Sequence, residues 1–207
     1  GHEILQLISL SDTNAPASSI FINNFMYTLK EYHPEMDLSQ FYEEARKRNY
    51  HNNDSYESMI KPFEDISGSR VLILFYNNMP IASSVSHPFL DGHRIFARLC
   101  VFTDLTPFNR CGTVKAFKEH QHVTPRFFLP EHAKLKGPLY FTTHPEDTAK
   151  MQSMHRVVTK WLSECGVIGW LGDMKYRGCV QSVWKVNTQK WLEDMNKYPI
   201  YYDNLNK

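Results

Sequence analysis

Apolar residues in this chain come in two arrangements, dense short runs and stripes spaced by three or four. Each predicts a different element. Glu3 to Leu10 holds Ile4, Leu5, Leu7 and Ile8 ahead of the turn formers Ser11-Asp12, which predicts a strand. From Pro16 to Tyr32 the pattern turns helical. Phe21, Phe25, Leu29 and Tyr32 are spaced four, four and three, with Asn14 as a cap and His33-Pro34 as the stop. A second helix starts near Asp37 or Ser39, with Leu38, Phe41, Tyr42 and Ala45 on its inner side. A short helix fits Tyr56 to Lys61, and Phe63 to Ser69 carries no pattern. Arg70 to Tyr76 is a dense apolar run and reads as a buried strand. Asn77-Asn78 turns it into an antiparallel partner, Met79 to His87, and Asp91-Gly92 turns that into a third strand from Arg94 to Thr103. The three make a meander.

A loop rich in turn formers, Thr106 to Gly112, leads to a helix from about Thr113 to Val123, which Thr124-Pro125 ends. Arg126 to Gly137 reads as a connection, and Pro138 to Thr143 as a short strand. His144-Pro145-Glu146-Asp147 opens a long helix. Its proline fits the first turn, and its acids complement the helix dipole. Met151, Met154, Val158, Trp161, Leu162 and Cys165 form its inner stripe, and Gly166 stops it. Val167 to Leu171 reads as a strand turned by Gly172-Asp173, Cys179 to Val186 as a last strand, and Asn187 to Asn196 as a terminal helix. No repeat, low-complexity tract or linker interrupts the 207 residues, so residues 1–207 read as a single domain.

Charge narrows the class. Twenty-three Lys and Arg balance 22 Asp and Glu for a net +1, too little to hold a nucleic-acid backbone or an anionic membrane. No apolar run approaches the roughly 20 residues that span a bilayer. The four cysteines form no C-x-x-C pair and read as reduced thiols, which places the protein in the cytoplasm. The ten histidines do not form a metal site by spacing. His120 and His122 are two apart, on different sides of a helix, so no metal is expected.

The order of elements is strand, two helices, three-strand meander, helix, strand, long helix and two closing strands. It resembles the GNAT superfamily of N-acyltransferases over most of the chain. The resemblance implies an α/β fold with a mixed, largely antiparallel central sheet flanked by helices. It also implies a loop after the third meander strand that holds the pyrophosphate of acyl-coenzyme A. The family's loop pattern, Gln/Arg-x-x-Gly-x-Gly/Ala, falls on Asn109-Arg110-Cys111-Gly112-Thr113-Val114. The central glycine matches, while the first position is Asn and the last is Val. Backbone N–H groups at the start of a helix suit a pyrophosphate, and Arg110 adds a charged donor. Cys100, Val101, Phe102, Asn109, Arg110, Cys111, Gly112 and Thr113 are the cofactor-binding residues this implies. In the family the next strand splays from the third meander strand and leaves a cleft for the pantetheine arm. Those strands are Arg94 to Thr103 and Pro138 to Thr143 here, and His144 stands where the family often has Asn.

Acyl transfer from a thioester needs a base for the amine, a donor for the carbonyl oxygen and an acid for the thiolate. His144 is the candidate base, because histidine titrates near neutrality and stands at the implied cleft. Its competing role is a helix cap. Tyr140 is the candidate acid, and its competing role is core packing. The function expected is acyl-CoA-dependent N-acyl transfer, acetyl transfer to an amine by direct attack, with acetyl-CoA as cosubstrate. The alternatives are a GNAT-fold protein without the chemistry, and an interaction module that uses Phe127 to Leu129 and Tyr198 to Tyr202 as exposed aromatic segments. Neither acceptor nor oligomeric state is legible.

Overall fold

The computed structural model describes residues 5–7, 18–22, 25–47, 56–99, 124–145 and 153–195. These residues fall into two compact units. One is formed by the described residues up to His87 together with 97–99. The other is formed by Pro88–Phe96 and the described residues from 124 to 195.

The first unit is an antiparallel run of strands with short helices. Its strands are β1 (Leu5–Leu7), β2 (Ser18–Ile22), β3 (Phe25–Glu31), β4 (Arg70–Tyr76) and β5 (Met79–Phe89), and each pairs with the next in sequence up to the β4–β5 hairpin. The helices are α1 (Ser39–Lys47), α2 (Tyr56–Met59) and α3 (Lys61–Glu64). β4 and β5 are buried on both faces, which is why Arg70 to Tyr76 reads as a dense run rather than an alternation. Asn77 and Asn78 turn between them at φ 46° and 68°, as a two-residue hairpin with its twist requires. Before α1, the Asp37 carboxylate accepts hydrogen bonds from the Ser39 amide and hydroxyl.

The helix expected from Pro16 to Tyr32 is not formed; β2 and β3 occupy its described residues. A spacing of four is a multiple of two, so Phe21, Phe25 and Leu29 satisfy a strand's period as well as a helix's. Ile22 pairs directly with Phe25 across positions 23 and 24, where the sequence has Asn-Asn, the same dipeptide that turns β4 into β5.

The second unit contains β6 (Gly92–Leu99) through Phe96, a π-helical turn (Thr124–Phe128), α4 (Leu129–His132) and β7 (Leu139–Thr143). These are followed by α5 (Ser153–Glu164), β8 (Ile168–Tyr176), β9 (Cys179–Val186) and α6 (Thr188–Met195). Its strand order is β6-β7-β9-β8, with β6 and β7 parallel and the rest antiparallel. Ile95, Leu129, Leu139, Leu162, Val167, Ile168, Val186 and Trp191 form its core. Gly166, at φ 73°, ends α5 as expected. Its N–H donates to the Ser163 carbonyl at 3.0 Å, and the Val167 N–H donates to that of Leu162 at 3.1 Å.

Three boundaries differ from expectation. The stretch read as a connection, Arg126 to Gly137, begins as helix. Pro125 and Pro130 sit in first turns, where a missing N–H costs nothing. Phe127, Phe128 and Leu129 are buried there, so they are core and not an exposed docking segment. Gly172-Asp173 does not turn the chain. β8 passes through it with a register irregularity between Trp170 and Gly172, and the turn is Arg177-Gly178, at φ 50° and 84°. The turn after β5 is centred on Leu90 at φ 50°, and Gly92 is already the first residue of β6.

The fold class is α/β, with a mixed, largely antiparallel sheet and flanking helices. No helix among the described residues is long and apolar enough to cross a membrane.

Candidate functional site

The candidate site lies in the second unit, where β6 and β7 run side by side. Their register contains two pairs, His93 with Leu139 and Arg94 with Tyr140. Within this unit both strands continue, β6 through Phe96 and β7 to Thr143. Parallel strands in a regular sheet pair along their length. Among the described residues, these two pair only at their start.

The paired end is tightly built. A Cβ on Gly92 would stand 1.8 Å from the Pro138 carbonyl oxygen, and one on Gly137 would stand 2.6 Å from the Asp91 carbonyl oxygen. The His93 N–H donates to that Pro138 oxygen at 2.9 Å. Only glycine permits backbones to approach this closely. The Tyr140 hydroxyl donates to the Asp91 carboxylate, and the ring packs with Phe89 and Val183. That bond pushes the Tyr140 pKa up to about 12, with burial and the Asp91 charge adding to it. The candidate acid therefore keeps its proton at neutral pH, aimed back at the turn before β6.

The other end is polar. Arg94 is 5% exposed, and its Nε donates to Thr142 Oγ1 at 2.9 Å. Its guanidinium stacks over the Tyr176 and Phe96 rings, 5.0 and 5.2 Å from their centroids. Two aromatic faces offset part of the cost of burying that charge. Thr143 Oγ1 accepts from the Trp184 indole N–H at 3.0 Å. His144 follows, half-buried, and its ring has no hydrogen bond or ion pair with the described residues. The end of β7 and the residue after it thus carry three polar side chains, Thr142, Thr143 and His144. The sequence reading named His144 alone of these. Arg94, which it placed at a strand's start, carried no sequence signal of burial.

The expected cofactor-binding residues, Cys100, Val101, Phe102, Asn109, Arg110, Cys111, Gly112 and Thr113, lie outside the described residues, as does the helix expected after them. So do Tyr198 to Tyr202. No group of three or more His, Cys, Asp or Glu among the described residues is placed to hold a metal ion.

No family model matches the chain, and no curated protein does. Solved structures do. An uncharacterized protein from Bacillus halodurans is 10% identical with a TM-score of 0.54, over 94% of this chain and 100% of that one. RimJ of Mycobacterium smegmatis, in complex with CoA-disulfide, is 10% identical with a TM-score of 0.45, over 82% and 89%. A GNAT-family acetyltransferase from Streptococcus pneumoniae is 10% identical with a TM-score of 0.39, over 77% and 97%. At such identity a likeness shows the fold alone.

Proposed function

We propose that this protein is an acyl-CoA-dependent N-acyltransferase that transfers an acetyl group to an amine by direct attack. One observation carries the reading: β6 and β7 run parallel for two residue pairs and then stop pairing, the splay that the resemblance implies for a pantetheine arm. In this reading the loop from Asn109 to Thr113 holds the pyrophosphate, with Gly112 at the start of its helix. Cys100, Val101 and Phe102 line the arm. His144 takes the proton of the amine, since its ring makes no hydrogen bond or ion pair with the described residues. Tyr140 is the second candidate for proton transfer. The bond to Asp91 weakens that candidacy, because a phenol titrating at about 12 gives up its proton uphill to a thiolate. The protein acts in the cytoplasm as one domain, with acyl-CoA and an amine as its partners and no metal.

Calorimetric titration with acetyl-CoA, with coenzyme A beside it, tests this. Gly112→Asp sets bulk and negative charge against the pyrophosphate and abolishes binding. Undiminished binding by that variant places the cofactor elsewhere. Absence of binding by the folded wild type sinks the enzyme reading.

A second reading, an interaction module, draws on Trp170, Leu171 and Val180 of the β8–β9 hairpin, each more than half exposed.

A further inference from the structure

We infer that Thr142 donates a hydrogen bond to the carbonyl oxygen of the bound thioester, and that Arg94 is the residue that positions it. The inference rests on the acyltransferase reading above.

A threonine hydroxyl has one proton to give and lone pairs to accept with. Thr142 Oγ1 accepts from Arg94 Nε at 2.9 Å, and this is its one hydrogen bond among the described residues. One lone pair of the hydroxyl is therefore committed, while its proton has no acceptor among the described residues. A hydroxyl that accepts from a cation is polarised and donates more strongly. The cation is buried and lies over the Tyr176 and Phe96 rings. Thr142 stands two residues past the last β6–β7 pair, on the part of β7 that has left its neighbour. A preorganised donor at that place suits an oxygen that gains charge during reaction.

The amine nitrogen attacks the thioester carbon and forms the C–N bond. The carbonyl π pair moves onto oxygen, and the Thr142 O–H donates a hydrogen bond to that oxyanion. His144 takes the proton of the amine. The oxyanion collapses, the C–S bond breaks, and the thiolate takes that proton from the imidazolium.

Infrared difference spectroscopy of acetyl-CoA labelled with carbon-13 at the carbonyl reads this donor without knowledge of the acceptor. Bound to the wild type, the carbonyl band lies at lower wavenumber than in solution. Thr142→Val returns it toward the solution position, and Thr142→Ser keeps it low. With any amine that the wild type acetylates, Thr142→Val lowers kcat roughly 100-fold, with KM for acetyl-CoA within about twofold. Arg94→Lys moves the band in the wild-type background and not when position 142 is Val, because its effect runs through the hydroxyl. A bound carbonyl band that is the same in wild type and folded Thr142→Val overturns the inference and leaves the acyltransferase reading standing. Failure of the wild type to bind acetyl-CoA overturns both.

Discussion

The two ends of the β6–β7 pair are built from opposite materials. At the paired end, Gly92 and Gly137 let the backbone of one strand's entry touch that of the other. Tyr140 is buried and tied to Asp91 there. At the unpaired end the backbone pairing stops, and side chains take over: Arg94 reaches Thr142, Trp184 reaches Thr143, and His144 stands with no partner among the described residues. A close backbone junction fixes geometry but leaves no room for a ligand. Side chains with uncommitted hydrogen-bonding capacity cost stability and offer chemistry. The comparison teaches that one strand pair does two jobs, with rigidity at one end serving position at the other.

Substitutions that strike one end and spare the other sharpen this. The largest effect is expected from Gly92→Ala. Its added methyl meets the Pro138 carbonyl well inside contact distance, so the junction must open. A stability loss of about 3 kcal/mol is expected from such overpacking, read from urea unfolding. Stability within about 0.5 kcal/mol of wild type, the range of a surface change, breaks the claim of a rigid junction.

His144→Asn is the opposite case. It removes the proposed base and no hydrogen bond or ion pair among the described residues, so kcat falls on the order of 100-fold while the melting temperature holds. A lowered melting temperature with unchanged kcat makes His144 a structural residue.

Tyr140→Phe has the smallest effect. It removes a hydrogen bond to a carboxylate on an exposed residue, worth about 1.5 kcal/mol. The tyrosine's folded pKa is raised to about 12 from an ordinary 10. Its contribution is therefore complete below pH 10 and is lost as pH rises through 12. Tyr140→Phe lacks that alkaline loss, and parallel wild-type and variant stability curves between pH 9 and about 12 contradict the account.

Much of the scaffold was legible because its signals were local and unambiguous. Asn77-Asn78 between two apolar runs allows one turn, and Gly166 after a helical stripe allows one stop. The strand at Leu139–Thr143 and the helix after Asp37 were legible for the same reason. The early β2–β3 hairpin was not, because a four-residue spacing suits both periods and Asn23-Asn24 was absorbed into a stripe. Gly172 misled for a related reason. At φ 125° it marks an irregularity within a strand, and a glycine's freedom is the same signal in a bulge as in a turn. At the candidate site, His144 was named from the sequence because it follows a clear strand. Arg94 and Thr142 were not, since their meeting depends on two strands 48 positions apart pairing and then parting. Asp91 was read as a turn former, and its bond to Tyr140 is equally long-range.

The most direct test is amide hydrogen exchange with and without saturating acetyl-CoA. The account predicts new protection at residues 141–145, where β7 has left β6, and none at residues 91–93 and 137–139, already held by the junction. Binding that protects the junction and leaves 141–145 unchanged contradicts it.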